Sequence, residues 1–137
     1  MATRSILIMK KENGEIQATY VHSDGDDHLP ILQNYYNTQQ QVQELCKLGD
    51  LSVLGRTTGK SPDQTSHDNE FCIAYHRDRG AELKYDIYNS VEEAISDVNT
   101  EVIVYLYFWD GNTWSVKKRD YDRGIWKKEK LLRLNSK

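Results

Sequence analysis

The stretch Cys72-Ile73-Ala74-Tyr75-His76-Arg77-Asp78-Arg79-Gly80 sets two arginines, a histidine, an aspartate and a tyrosine at the end of a short apolar run. Arginine is a fixed planar cation that grips phosphate through paired hydrogen bonds. Tyrosine and histidine beside it stack on a base or bond a sugar hydroxyl. These are the residue types of a nucleotide pocket at a strand end, and equally those of a surface turn closed by a local ion pair. His76-Arg77-Asp78 also opens the pattern of a kinase catalytic loop. Leu83 stands where that loop needs asparagine, and 137 residues are too few for the fold.

Other groupings carry less. Gly55-Arg56-Thr57-Thr58-Gly59-Lys60-Ser61 resembles a phosphate-binding loop, but three residues separate its glycines where four are required, and Pro62-Asp63 replaces the helix start that should face the phosphates. Arg56 and Lys60 remain candidates for a separate phosphate site. His22, Asp24, Asp26, Asp27 and His28 crowd together as oxygen and imidazole ligands would. Asp-Gly-Asp-Asp is ordinary turn chemistry, however, so no metal is expected. No Gly-x-Ser-x-Gly occurs, and Cys46 and Cys72 sit in apolar runs that keep thiols inert. No catalytic residue and no cofactor are expected.

The elements that must position these residues read as follows. Arg4–Met9 and Ile16–His22 form strands joined at Glu12-Asn13-Gly14-Glu15, Asn-Gly being the strongest short hairpin signal. Leu29 to Tyr36 has helical spacing. Gln39 to Leu48 forms a second helix that Thr38 caps and Gly49 stops. Leu51–Leu54 is a short apolar segment, and Gly55 to Asn69 has the composition of a mobile loop. Phe71–Tyr75 and Leu83–Ile87 read as strands, with a helix at Val91–Val98 capped by Ser90 or Asn89. Glu101–Trp109 and Thr113–Arg119 form a second hairpin. Its first strand is apolar or aromatic on both faces, so one face covers the helices and the other implies a ligand or a partner subunit. Trp126 and Leu131–Leu134 add a last strand or short helix. The class is α+β: an antiparallel sheet built from N-terminal and C-terminal hairpins, packed with two or three short helices in a single domain, 1–137.

Nine tyrosines and three tryptophans exclude a solvated, disordered chain. Residues 1–116 carry nine basic and eighteen acidic residues, net −9, and residues 117–137 carry nine and three, net +6. An acidic body with a basic tail argues against a nucleic-acid binder, which needs a broad basic surface. The tail is expected to pack on the body or on a neighbouring subunit. No apolar run reaches the length of a secretory core or a membrane span, and two isolated cysteines suit a reducing compartment, so a cytoplasmic protein is expected.

Met1-Ala2-Thr3-Arg4-Ser5, Tyr20-Val21-His22-Ser23-Asp24-Gly25, Leu32 to Tyr36, Leu48-Gly49-Asp50-Leu51-Ser52 and Ala74-Tyr75-His76-Arg77-Asp78-Arg79-Gly80 follow one another in an order that resembles a family of small phage and prophage proteins that includes the Thoeris anti-defence sponges. The resemblance spans roughly residues 1–110 and departs from the pattern at Ser23, where tryptophan is more usual. It implies a non-enzymatic, homo-oligomeric protein that binds a cyclic ADP-ribose-type signal, and in some members cyclic oligonucleotides, and sequesters it intact. A nucleotide-degrading enzyme and a phage protein that blocks a host protein are the alternatives. The expected pocket joins Tyr75, His76, Arg77, Asp78 and Arg79 to stacking faces from Tyr105, Tyr107 and Trp109. His22 and Asp24 are sugar contacts, and Arg4 is expected to pair with an acidic neighbour.

Overall fold

The computed structural model describes residues 3–120 and 125–128, and for Asp120 and 125–128 the backbone alone. Within them lie eight strands: β1 (Arg4–Lys10), β2 (Ile16–Val21), β3 (Leu51–Val53), β4 (Ile73–Ala74), β5 (Asp86–Tyr88), β6 (Ile103–Trp109), β7 (Trp114–Asp120) and β8 (Ile125–Lys128). Four α-helices accompany them: α1 (His28–Tyr35), α2 (Gln39–Lys47), α3 (Tyr75–Arg79) and α4 (Val91–Ser96). The fold is α+β, as expected.

The strands make one sheet, ordered β4-β3-β2-β1-β6-β7-β8, with β5 also pairing β2. Both expected hairpins are present, β1–β2 and β6–β7, each antiparallel. They meet through a parallel β1–β6 ladder, and β3 joins β2 in parallel as well, so the sheet is mixed. In the first hairpin turn Gly14 takes φ +88° with open space around it, a conformation glycine adopts without strain. Part of the basic tail pairs as β7 and β8 and extends the sheet. Leu131–Leu134 lie outside the described residues.

Each sheet face has its own core. Leu7, Met9, Val21, Tyr105, Tyr107, Trp109 and Val116 pack against Leu29 and Leu32 of α1 and Val42, Leu45 and Cys46 of α2. On the opposite face Ile8, Ile16, Ile103 and Leu106 pack under Ala94 of α4. An irregularity in the β1–β6 ladder, where Arg4 faces Ile103 and Ser5 faces Tyr105, shifts the alternation of β6. Ile103 therefore joins the α4 face, and Tyr105 joins the other.

Helix α2 starts as its sequence dictates. The Gln41 amide donates to Thr38 Oγ1 at 3.2 Å, and Gln41 Oε1 accepts from the Thr38 amide at 3.2 Å, a reciprocal cap. Thr38→Ala is expected to cost about 1 kcal/mol in a urea titration, with the unfolding slope unchanged.

Two expectations need correction. The strand expected over Phe71–Tyr75 is confined to Ile73–Ala74, because the chain turns at once into α3. The Asp78 carboxylate reaches back to the Ala74 amide at 2.7 Å and starts the helix, and Gly80 at φ +73° ends it. The strand expected over Leu83–Ile87 forms only at Asp86–Tyr88, where Ala18 and Ile16 supply backbone partners.

Candidate functional site

Arg77 is not poised for a ligand. Its Nε and Nη2 donate to the two Asp78 carboxylate oxygens at 3.0 Å each, Nη2 also to the Cys72 carbonyl at 3.1 Å, and Nη1 to the Thr58 carbonyl at 2.5 Å. The guanidinium is spent clamping the 55–59 backbone onto α3. Asp78 is buried; burial pushes its carboxyl up, but the Arg77 guanidinium and the Ala74 amide outweigh this and hold it below the usual carboxylate range. His76 Nδ1 donates to the Ala81 carbonyl at 2.7 Å. Of the cluster, His76 and Arg79 are exposed, and Tyr75 is half-buried.

The loop at 55–69 is tied in the same way. Arg56 donates Nη1 to the Asp68 carbonyl at 2.6 Å, and the main-chain amides of Arg56 and Thr57 bond to Asn69 and Glu70. Gly55 is backed so closely by the Phe71 carbonyl that any side chain would collide with it. Arg56 is therefore engaged and Lys60 exposed, and no anion cradle joins them. Asp24 is an exposed left-handed turn residue at φ 60° that accepts from Asn69 at 3.4 Å.

Tyr105, Tyr107 and Trp109 were expected to offer stacking faces, and this must be corrected. They are 8%, 1% and 3% exposed, covered by α1 and α2. The Tyr107 hydroxyl donates to the Gly25 carbonyl, and Trp109 Nε1 donates to Gln39 Oε1 at 2.8 Å. Two-faced hydrophobicity in β6 reflects helices on both sides of the sheet.

The open chemistry lies elsewhere, on the α4 face. Helix α4 is six residues long and leaves one end of the face uncovered, where Arg4 and Ile6 of β1 adjoin Tyr20 of β2 and His22 just beyond it. Arg4 Nε donates to the Tyr20 hydroxyl at 3.0 Å, and that hydroxyl meets His22 Nδ1 at 2.7 Å. The Tyr20 oxygen accepts from Arg4, and which of the phenol and the imidazole donates in the second bond is set by the His22 tautomer. Among the described residues nothing bonds Arg4 Nη1 or Nη2, or His22 Nε2. Among the described residues the Arg4 Nη edge is therefore a free donor and His22 Nε2 an open ring nitrogen. The expectation that Arg4 pairs with an acidic neighbour is thus replaced by a tyrosine partner. Burial pushes the Tyr20 phenol up while Arg4 opposes it, and Tyr75 is close enough to act on it.

Tyr20 also walls a cleft of about 250 Å³ between the sheet and the end of α4. Its floor is apolar: Ile6, Ala18, Ala94 and Ile103. The far wall is Tyr88, whose hydroxyl donates to Asp97 at 2.5 Å, with Asp86 and Asn99 beside it. Arg4 and His22 stand outside the lining and connect to the cleft through the Tyr20 hydroxyl, while the carboxylates of Asp86 and Asp97 lie in the lining itself. None of the ten expected contacts lines the cleft; His22 adjoins it through its bond to the Tyr20 hydroxyl. Arg4 and Tyr20 were legible only as ordinary strand residues, because their meeting depends on the β1–β2 register.

No group of His, Cys, Asp and Glu suited to a metal ion occurs among the described residues. Burial pushes the Cys46 thiol up to about 11 and raises Cys72 as well. None of the helices described is long and apolar enough to cross a membrane. Comparison with protein-family models, curated proteins and solved structures finds no match to this chain.

Proposed function

We propose that this protein binds a cyclic ADP-ribose-type nucleotide signal and sequesters it intact, acting as a phage anti-defence sponge in the cytoplasm of an infected bacterium. The observation that carries the binding is the cleft walled by Tyr20 and Tyr88, with Arg4 and His22 bonded to the Tyr20 hydroxyl beside it. The Arg4 Nη fork and His22 Nε2 suit a phosphate, bidentate recognition being what a guanidinium does best. Tyr20 and Tyr88 offer aromatic surface to a base, and Asp86 and Asp97 offer acceptors to sugar hydroxyls. Pockets that hold whole ligands run from roughly 300 Å³ upward, so this cleft takes the base or sugar and leaves the phosphates outside it, toward Arg4 beside Tyr20. The order of segments that resembles the phage and prophage family is the ground for naming this ligand.

Thermal-shift measurement with a cyclic ADP-ribose isomer, followed by mass spectrometry of the ligand released on heating, tests the proposal. A raised melting temperature with unaltered ligand is expected. Arg4→Ala should weaken binding roughly ten- to a hundred-fold, the value of a charge-assisted pair of hydrogen bonds. Cleaved ligand would establish an enzyme instead, and an Arg4→Ala protein that binds as tightly as the parent would displace the site.

A further inference from the structure

Three of the five large apolar side chains that stand exposed among the described residues lie on one short segment: Leu83, Tyr85 and Ile87, at 47%, 37% and 41% exposure. They alternate, so they share one face, and Ile87 lies beside Gln17, which places that face on the α2 side of the sheet. Glu82, Lys84, Asp86 and Tyr88 fall on the other face, where Asp86 and Tyr88 line the cleft.

This segment is also an edge. β2 is paired along its length by β1 on one side, while β3 takes Val21 and β5 takes Ile16–Ala18. β5 has no other strand partner among the described residues. The Lys84 carbonyl accepts from the Asp50 amide at 2.9 Å, so the Lys84 peptide groups point inward. Ile87 alternates with Asp86 and Tyr88 and turns its peptide groups outward, and among the described residues no backbone hydrogen bond outside the β2 ladder reaches Leu83, Tyr85 or Ile87. A row of free donors and acceptors under apolar side chains is a template for another strand.

We infer that residues 83–87 pair antiparallel with the same residues of a second copy of this chain, about a two-fold axis at Tyr85. The register follows from the sequence of the segment. With Tyr85 opposite Tyr85, Leu83 falls opposite Ile87 and Lys84 opposite Asp86, each twice by symmetry. The apolar residues then meet on one face and opposite charges on the other. The peptide groups of 83, 85 and 87 fall opposite one another as hydrogen-bonded pairs. Centring on Lys84 would instead set Glu82 against Asp86, two like charges. In the favoured register Lys84 of the second copy reaches Asp86 at the acidic wall of the cleft, so the dimer completes that wall. The inference does not depend on which ligand the cleft holds.

Sedimentation velocity of the full chain is expected to show a dimer. Lys84→Asp and Asp86→Lys, made singly, set like charges opposite each other and should yield monomers; the two together re-form both pairs and should restore the dimer. A monomeric parent, a dimer indifferent to the single swaps, or a double swap that stays monomeric would overturn the inference. Tyr85→Cys gives a second reading that does not depend on charge. Hydrogen-bonded antiparallel partners lie ~5.5 Å apart at Cα, within disulfide reach, and both native cysteines are buried. Mild oxidation should therefore cross-link this variant into a dimer. Failure to cross-link would count against the pairing even if a swap variant failed to fold.

Discussion

Acidifying this protein from about pH 7 to about pH 4 is expected to remove roughly 3 kcal/mol of stability through one side chain, His28. The ring is fully buried beside Tyr107, with centroids 5.4 Å apart, and neither ring nitrogen has a hydrogen-bond partner among the described residues. Burial depresses its pKa from 6.5 to about 3. The unfolded chain takes up a proton as the pH falls below 6.5, and the folded chain does not until about 3. Stability is therefore full above the unfolded value and declines across that window. Urea midpoints at both pH values, compared between the parent and His28→Leu, check this. The variant should lose most of the pH dependence in this range, since leucine fills a similar volume without titrating. An unchanged acid sensitivity would assign it to other groups.

Asp78→Ala is the second large effect, expected to cost about 3 kcal/mol and lower the melting temperature on the order of 10 °C. The Asp78 side chain is 2% exposed and its Arg77 partner 25%, so the substitution leaves a largely buried guanidinium without its counter-charge and the Ala74 amide without its acceptor. Asp78→Asn should cost less, because an amide oxygen still accepts from Ala74. The carboxyl titrates below its ordinary value of 3.8, so its contribution is complete above that value and lost as pH falls through the depressed one. That window lies at the acid end of the His28 range, which separates the two in a pH series. Any loss of ligand affinity in Arg77→Ala should be read beside its melting curve, because Arg77 holds the 55–59 backbone in place.

The two hairpins, the Thr38 and Ser90 caps and the turn at Asn13-Gly14 were legible because each is local. A hydroxyl three residues from an amide, or a glycine free to take positive φ, needs nothing distant to act. The short helix at Tyr75–Arg79 was not, since its start rests on Asp78 folding back on Ala74, and an apolar run leading into it looks like continued strand. β6 carried the opposite difficulty. Its pattern fitted a face kept for a ligand or a partner subunit as well as a sheet covered twice by its own helices, and six residues of α4 decide between them.

Composition, turn chemistry and hydrophobic period thus determined the class of fold and most of its elements, because those signals act within a few residues. The candidate site was decided by tertiary structure alone. Arg4 and Tyr20 are sixteen residues apart and meet because the β1–β2 register sets Ile6 opposite Tyr20. Arg77 had the right chemistry for phosphate, yet the fold commits its guanidinium to Asp78 and to the carbonyls of Thr58 and Cys72. A sequence shows which donors a chain possesses; only the folded chain shows which of them remain free.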